Sequence, residues 1–166
     1  MLQATWSPEM LTGLDEMDEL HHVFFDALLG LSSITDENFS TCYTAFVAKA
    51  ERMFATEDRW MEEIDFPALQ SHREQHARVL AALHNVMFHV MGGNLALGRD
   101  VIERLLPQWC IFHMTTMDMA LAMSIQMARA KNPPFMLTNQ WLKQSSKVRH
   151  PFPRSGEVAA ASSMEI

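Results

Sequence analysis

Apolar side chains recur at steps of three and four residues along most of this chain, which is the period of an amphipathic α-helix. Residues that end helices separate the periodic stretches: Pro67, the pair Gly92–Gly93 and the pair Pro133–Pro134. The predicted helices span residues 13–32, 36–64, 68–91 and 99–130. Four long helices with heptad-like stripes and short connections predict an all-α fold, an antiparallel up-down four-helix bundle.

The fourth helix carries one residue that does not suit its interior. Pro107 lacks a backbone donor and its ring clashes with the preceding turn, so we expect a kink there or a helix that starts nearer to residue 108. The apolar stripe predicted for this helix is Ile102, Trp109, His113, Thr116, Ala120, Met123 and Met127.

Length and composition predict one domain with a sizeable core, because the chain has 166 residues, of which 48% are hydrophobic. We expect residues 1–131 to form the bundle, with a loop at its N-terminus. Residues 132–166 are rich in Pro and Ser and should form a C-terminal extension that docks partly on the bundle. The side chains expected to dock are Phe135, Met136, Trp141 and Leu142.

Charge, cysteine content and the distribution of apolar residues indicate which partners and which cell compartment to expect. The formal net charge of −7 argues against a nucleic-acid partner, since such proteins carry basic patches. Cys42 and Cys110 are far apart and outside any CxxC pattern, which indicates free thiols in a reducing compartment. The first residues do not resemble a signal peptide, and no apolar run reaches 18 residues, so we expect a cytoplasmic protein without a membrane partner.

Polar residues interrupt the apolar stripe of every predicted helix. They are His21, Glu57, His72, His76 and His113. A single buried His is usually a core residue satisfied by hydrogen bonds, and a buried hydrogen-bond network is the alternative for the whole set. Burying a polar group on an apolar seam costs free energy unless the group forms a hydrogen bond or binds an ion. Helical bundles hold metals through imidazoles and carboxylates that converge in the core. His72 and His76 are four residues apart, so both rings can bind one ion.

Four motifs resemble those of the bacterial hemerythrins, the hemerythrin-like (HHE cation-binding) family. The stretch "WSPEMLTGLDEMDELHHVFF" resembles the family's beginning, with its Trp, its Gly and its Asp-x-x-His. "MFATEDRWM" resembles the family's His-Phe-x-x-Glu-Glu, "HREQH" its His-x-x-x-His, and "HMTTMD" its His-x-x-x-x-Asp. The motifs occur in the family's order between about residues 6 and 125.

The resemblance implies an oxygen-bridged site with two iron ions. By position, one iron would be held by His72, His76 and His113. The other would be held by His21, and Glu57 and Asp118 would bridge the two.

Asp118 fits this set only if the helix is irregular. It lies five residues after His113, about 140° around a regular helix, where Thr116 or Met117 should face the metal instead. On the strength of the resemblance, we predict a π-bulge between His113 and Asp118.

Met53 stands where the family has the remaining His ligand of the second iron. A thioether is a soft, neutral donor, whereas iron among carboxylates prefers oxygen and imidazole. Three outcomes follow: a di-iron site whose second ion is completed by water, a site that keeps only the three-His iron, or a metal-poor bundle in which Met53 fills space. Manganese or zinc could use the same ligands.

The resemblance implies a protein that binds non-haem iron and, reversibly, dioxygen or another small diatomic ligand, for oxygen carriage, storage or sensing. The second reading is a metalloenzyme that activates O2, peroxide or NO at an iron position left open by Met53. The third is an interaction module with a degenerate site. No catalytic constellation is evident beyond the metal ligands, which favours a non-enzymatic role.

Overall fold

The computed structural model describes residues 6–131, and the predicted docking of the C-terminal extension therefore lies outside the described residues. A short 3-10 helix, Pro8–Met10, precedes four long helices in this part of the chain. The long helices are α1, Asp15–Ser32; α2, Asp36–Glu63; α3, Leu69–Met91; and α4, residues 95–131. The described residues contain no strand, and the predicted all-α four-helix bundle is confirmed.

Short connections alternate the direction of successive helices, as the breaks in the sequence predict. The turns occupy residues 33–35, 64–68 and 92–94. Gly92 caps the end of α3, and Gly93 has φ +94°, a left-handed conformation that favours glycine. None of the helices between residues 6 and 131 combines the length and apolar character needed to cross a membrane.

One end of the bundle is closed by contacts between the α1–α2 turn and α4. Arg99 donates hydrogen bonds to the carbonyl of Ile34 and the carboxylate of Asp36, and its guanidinium lies 4.5 Å from the ring centre of Phe39. Beside it, Gly98 allows a close approach of helices, since a Cβ there would lie 2.5 Å from Val90 Cγ2 and 2.7 Å from Phe39 Cε1. These contacts set where α4 begins relative to α2 and α3.

Helix α4 consists of three α-helical segments joined by two π-helical turns. Its parts are Leu95–Asp100, Val101–Leu105, Leu106–His113, Met114–Asp118 and Met119–Lys131, of which the second and fourth are π-helical. In the first π turn, the N–H of Leu106 donates to the carbonyl of Val101, five residues earlier. The wide turn comes directly before Pro107, whose ring would clash with the carbonyl four residues earlier in a regular helix. A helix start near residue 108 was therefore the wrong expectation: α4 passes through Pro107.

The second π turn changes which face of α4 is buried. Thr116, Ala120, Met123 and Met127, predicted to lie on the apolar stripe, are exposed. The buried residues after the turn are Leu121, Ala122 and Ile125 instead. The predicted stripe is wrong beyond His113, because a π turn holds one more residue than an α turn and so rotates the remainder of the helix.

Candidate metal centre

All six predicted ligands are buried together in the bundle core. α1 supplies His21, α2 supplies Glu57, α3 supplies His72 and His76, and α4 supplies His113 and Asp118; each is at most 2% exposed. The residues lie near the beginnings of α1 and α3, towards the end of α2 and in the middle of α4. Because neighbouring helices run antiparallel, these positions lie at the same level along the bundle axis. One ligand atom from each of five residues, all except His21, lies within 4.8 Å of the others.

Three imidazole nitrogens meet at one side of this cluster. The Nε2 atom of His113 lies 3.0 Å from Nε2 of His72 and 3.1 Å from Nε2 of His76. An imidazole nitrogen carries either one hydrogen or one lone pair in the ring plane, so His113 can form only one of these hydrogen bonds at a time. A cation between the three nitrogens would accept a lone pair from each of them.

The two carboxylates each reach from the three-His side to His21. Glu57 places Oε2 3.1 Å from His76 Nε2 and Oε1 3.3 Å from His21 Nε2. Asp118 places Oδ1 3.1 Å from His72 Nε2 and Oδ2 3.2 Å from His21 Nε2. Each carboxylate therefore offers one oxygen to either side of the cluster, as a bridging ligand does.

The donor atoms fit a metal better than they fit one another. Despite these short separations, Glu57 Oε2 and both oxygens of Asp118 form no hydrogen bond within the described part of the chain. Buried polar atoms without hydrogen bonds are rare in folded proteins, because each loses its hydration without compensation. Imidazole and carboxylate together are suitable donors for iron, manganese or zinc.

The second π turn of α4 brings Asp118 to this cluster. The N–H of Met119 donates to the carbonyl of Met114, five residues earlier, and Asp118 is 1% exposed while Thr116 faces solvent. The π-bulge predicted between His113 and Asp118 is therefore confirmed. It places two residues five apart on one side of the helix, which a regular α-helix does not do.

Comparison with known proteins identifies a relative of this chain. A protein of Ralstonia nicotianae named Bacteriohemerythrin is 35% identical to this chain over 113 residues, which cover 68% of the chain and 82% of that protein. This chain belongs to the bacterial hemerythrin family. No model of a protein family matches the chain, and no solved structure matches it. The relative and the buried cluster together make the chain a hemerythrin-like, iron-binding protein.

Electrostatics in this hemerythrin favour positive charge at the cluster. Burial by itself lowers the pKa of His21, but the nearby carboxylates of Asp118 and Glu57 outweigh burial and raise that pKa to about 10. His76 behaves in the same way: burial is outweighed by Asp58 and Glu57, and its pKa rises to about 9. Burial raises the pKa of Asp118, yet the close imidazoles of three residues, first His113, bring that pKa well below its usual value. Metal ions and protons therefore compete for the same buried negative charge.

A layer of side chains behind the ligands holds the imidazole rings in place. Phe54 stacks on His76 with ring centres 4.1 Å apart, and Trp109 stacks on His113 at 4.4 Å. Asp58 accepts a hydrogen bond from His76 Nδ1 through Oδ1 at 3.0 Å. The sequence predicts no contact for Asp58. The contact joins residues on two helices, so no local pattern in the sequence indicates it.

The N-terminal motif acts through Asp18, which lies one turn before His21. Its Oδ1 accepts hydrogen bonds from the backbone N–H and hydroxyl of Thr12, and its Oδ2 accepts one from the N–H of Gly13. Gly13 has φ +75°, which suits glycine in the tight turn. Asp18 therefore ties the entry loop to α1 and so supports the position of His21.

Met53 lies on α2 one turn before Glu57 and is 2% exposed. The residue where the family has a His thus lies in the core on the same face as Glu57. Cys42 and Cys110 are both free and buried, as their separation in the sequence predicts.

Proposed function

We propose that this protein binds two iron ions at the cluster and takes up dioxygen reversibly, in carriage, storage or sensing. In this proposal His72, His76 and His113 would hold one iron and His21 the other. Glu57 and Asp118 would bridge them. Bound iron would supply the redox-active centre that dioxygen requires.

The observation that carries the proposal is the two-sided placement of the carboxylates. A single ion at the three imidazoles would use one oxygen of Glu57 and one of Asp118, and would leave Glu57 Oε1 and Asp118 Oδ2 directed at His21. A second ion on the His21 side satisfies both of these oxygens and the His21 nitrogen. His21 and Glu57 are completely buried, so the arrangement has no role as a solvated surface network.

Reversible uptake would also require the exclusion of water, because protons from water favour loss of the gas as hydrogen peroxide, whose two additional electrons come from the iron. The rings of Phe54 and Trp109 cover His76 and His113, and Trp60 is buried on the same helix as Glu57. A closed, largely apolar surrounding is consistent with binding a small uncharged gas.

Met53 should weaken the binding of the second iron ion. On the His21 side, residues 6–131 contribute one imidazole, and a thioether is a poor substitute for a second one among carboxylates. This observation also favours the alternative function, a metalloenzyme that activates dioxygen, peroxide or nitric oxide at a position that the family's His would have filled.

The deciding experiment measures iron per chain in protein produced with excess iron, and then absorption spectra of the reduced protein before and after exposure to oxygen. Two irons per chain with a spectral change that reverses when oxygen is removed support the proposal. Rapid irreversible oxidation with release of hydrogen peroxide supports the enzyme. One iron per chain means that only the three-His ion is held, and far less than one iron per chain refutes the metal site.

Two variants test the account of Met53. With limiting iron, Met53→His should hold more of the second iron than the unchanged protein and lengthen the lifetime of the oxygenated form, because it restores an imidazole donor. Met53→Leu is the matched control, since it keeps an apolar side chain of similar volume but removes the sulfur. If Met53→His leaves both quantities unchanged, the proposed weakening of the second ion is wrong. If Met53→Leu lowers iron content, the thioether is itself a ligand.

A further inference from the structure

We infer that Asp58 is a positioning residue for the metal centre, which it serves by orienting the ring of His76. The inference rests on the metal site of the proposed function. It assigns a role to a set of three charged side chains, Asp58, Arg73 and Glu62, that lie outside the ligand set.

Neighbouring residues of α2 contact both nitrogens of one imidazole ring. Glu57 Oε2 lies 3.1 Å from His76 Nε2, and Asp58 Oδ1 lies 3.0 Å from His76 Nδ1. When Nδ1–H donates to Asp58, the lone pair of the neutral ring is on Nε2, the atom that faces the cluster. Asp58 thereby selects the tautomer that can bind a metal. Phe54, stacked on the ring with an angle of 13° between the planes, restricts its tilt.

Asp58 is itself held by two further charged groups. Its Oδ2 lies 3.1 Å from Nε of Arg73, and Arg73 also pairs with Glu62. Arg73 is on α3, three residues before His76, so Asp58 contacts α3 at both residues. The chain from Glu62 through Arg73 to Asp58 therefore links α2 and α3 directly behind the ligand.

The other rings differ from His76 in this respect. His21 Nδ1 and His72 Nδ1 are buried and form no hydrogen bond with any residue between positions 6 and 131. Of these three ligands, only His76 has a carboxylate behind it. A carboxylate that accepts from a metal-bound His raises the donor strength of the ring, and loss of such a partner typically weakens metal binding by about 10–100-fold.

The test uses Zn2+ as a diamagnetic probe that the same ligands accept. Zinc affinity, measured by competition with a chelator, should fall by about 10–100-fold in Asp58→Ala. Asp58→Glu should recover most of the affinity, because it restores a carboxylate. Arg73→Gln should give a smaller loss in the same direction, since it leaves Asp58 in place. In the zinc-loaded protein, the Nδ1 proton of His76 should be protected from exchange with solvent, and Asp58→Ala should remove that protection.

Asp100→Ala is the matched control, because Asp100 forms a similar pair with Arg104 on α4, at an exposed position. Equal zinc affinity in Asp58→Ala and Asp100→Ala would overturn the inference, as would a protected Nδ1 proton in Asp58→Ala. Failure of the unchanged protein to bind zinc or iron would instead overturn the proposed metal site. The inference is supported if Asp58→Ala loses both the zinc affinity and the protection of the Nδ1 proton, and if Asp58→Glu restores both.

Discussion

Deleting Thr116 tests whether the second π turn of α4 is an extra residue inserted in an otherwise regular helix. Without Thr116, His113 and Asp118 are four residues apart, about 40° around a regular helix, instead of about 140° for five residues. Both can then face the cluster through a regular α turn. The buried face after Asp118, which includes Leu121 and Ile125, keeps its register relative to Asp118.

The expected energetic cost of this deletion is small. Thr116 is exposed, and the deletion removes its hydroxyl hydrogen bond to the carbonyl of Phe112, which typically contributes about 0.5–1.5 kcal/mol. Deletion of Ala120 is the control, because without Ala120 the chain cannot preserve both the position of Asp118 in the cluster and the buried face that follows it. Either Asp118 leaves the cluster, or Leu121 and Ile125 leave the core. Each of these fully buried side chains contributes about 1.5–3 kcal/mol, so the second outcome costs about 3–6 kcal/mol.

The assay is urea unfolding of the metal-free protein, followed by helical circular dichroism, together with zinc affinity by chelator competition. The variant without Thr116 should stay within about 1.5 kcal/mol of the parent and still bind zinc, because only the one hydroxyl bond is lost. The variant without Ala120 should lose either stability or zinc binding. Our account of the π turn would be refuted if the two deletions had the same effect.

Two further predictions concern packing. Gly98→Ala should destabilise the protein by about 1 kcal/mol net in urea unfolding. Its Cβ would lie 2.5 Å from Val90 Cγ2, and such overpacking costs about 1–3 kcal/mol, from which a gain of about 1 kcal/mol in helix propensity is subtracted. Removing residues 132–166 should increase binding of a hydrophobic dye, because we expect the apolar part of that segment to cover Met123 and Met127, which are 58% and 59% exposed.

Each of these predictions has a control. Gly92→Ala should change stability little, since the nearest atom to its Cβ would be a carbonyl oxygen at 3.4 Å; a Gly98→Ala variant as stable as the parent contradicts the close packing at that site. Changing Met123 and Met127 to Ser in the shortened chain should abolish the additional dye binding. Equal dye binding by the full and shortened chains contradicts docking on this face.

The helices α1, α2 and α3 and the polar residues on their seams could be predicted from the sequence alone. A helix repeats every 3.6 residues, so the face on which a side chain lies is a local property that spacing reveals. His72 and His76 share a face for that reason, and Glu57 lies on the stripe of α2 in the structure as it does in the sequence.

The details of α4 depend on more than spacing. Its two π turns lie directly before Pro107 and between His113 and Asp118, and each turn changes the register of everything that follows. Residues that a regular period places in the core, such as Met123, are therefore exposed. The resemblance to a family indicated the second turn, whereas periodicity indicated a regular helix.

Periodicity also could not show which atoms of different helices meet. The contact of Asp58 with His76 and the two-sided reach of Glu57 and Asp118 depend on how far apart α1, α2, α3 and α4 lie and how they are rotated about their axes. Those quantities are set by the packing of side chains from all four helices at once, which no single stretch of sequence contains. The sequence alone determined which residues of α1, α2 and α3 face the core. The tertiary structure decided the buried face of α4 beyond His113 and brought the polar residues of all four helices within hydrogen-bonding distance of one another.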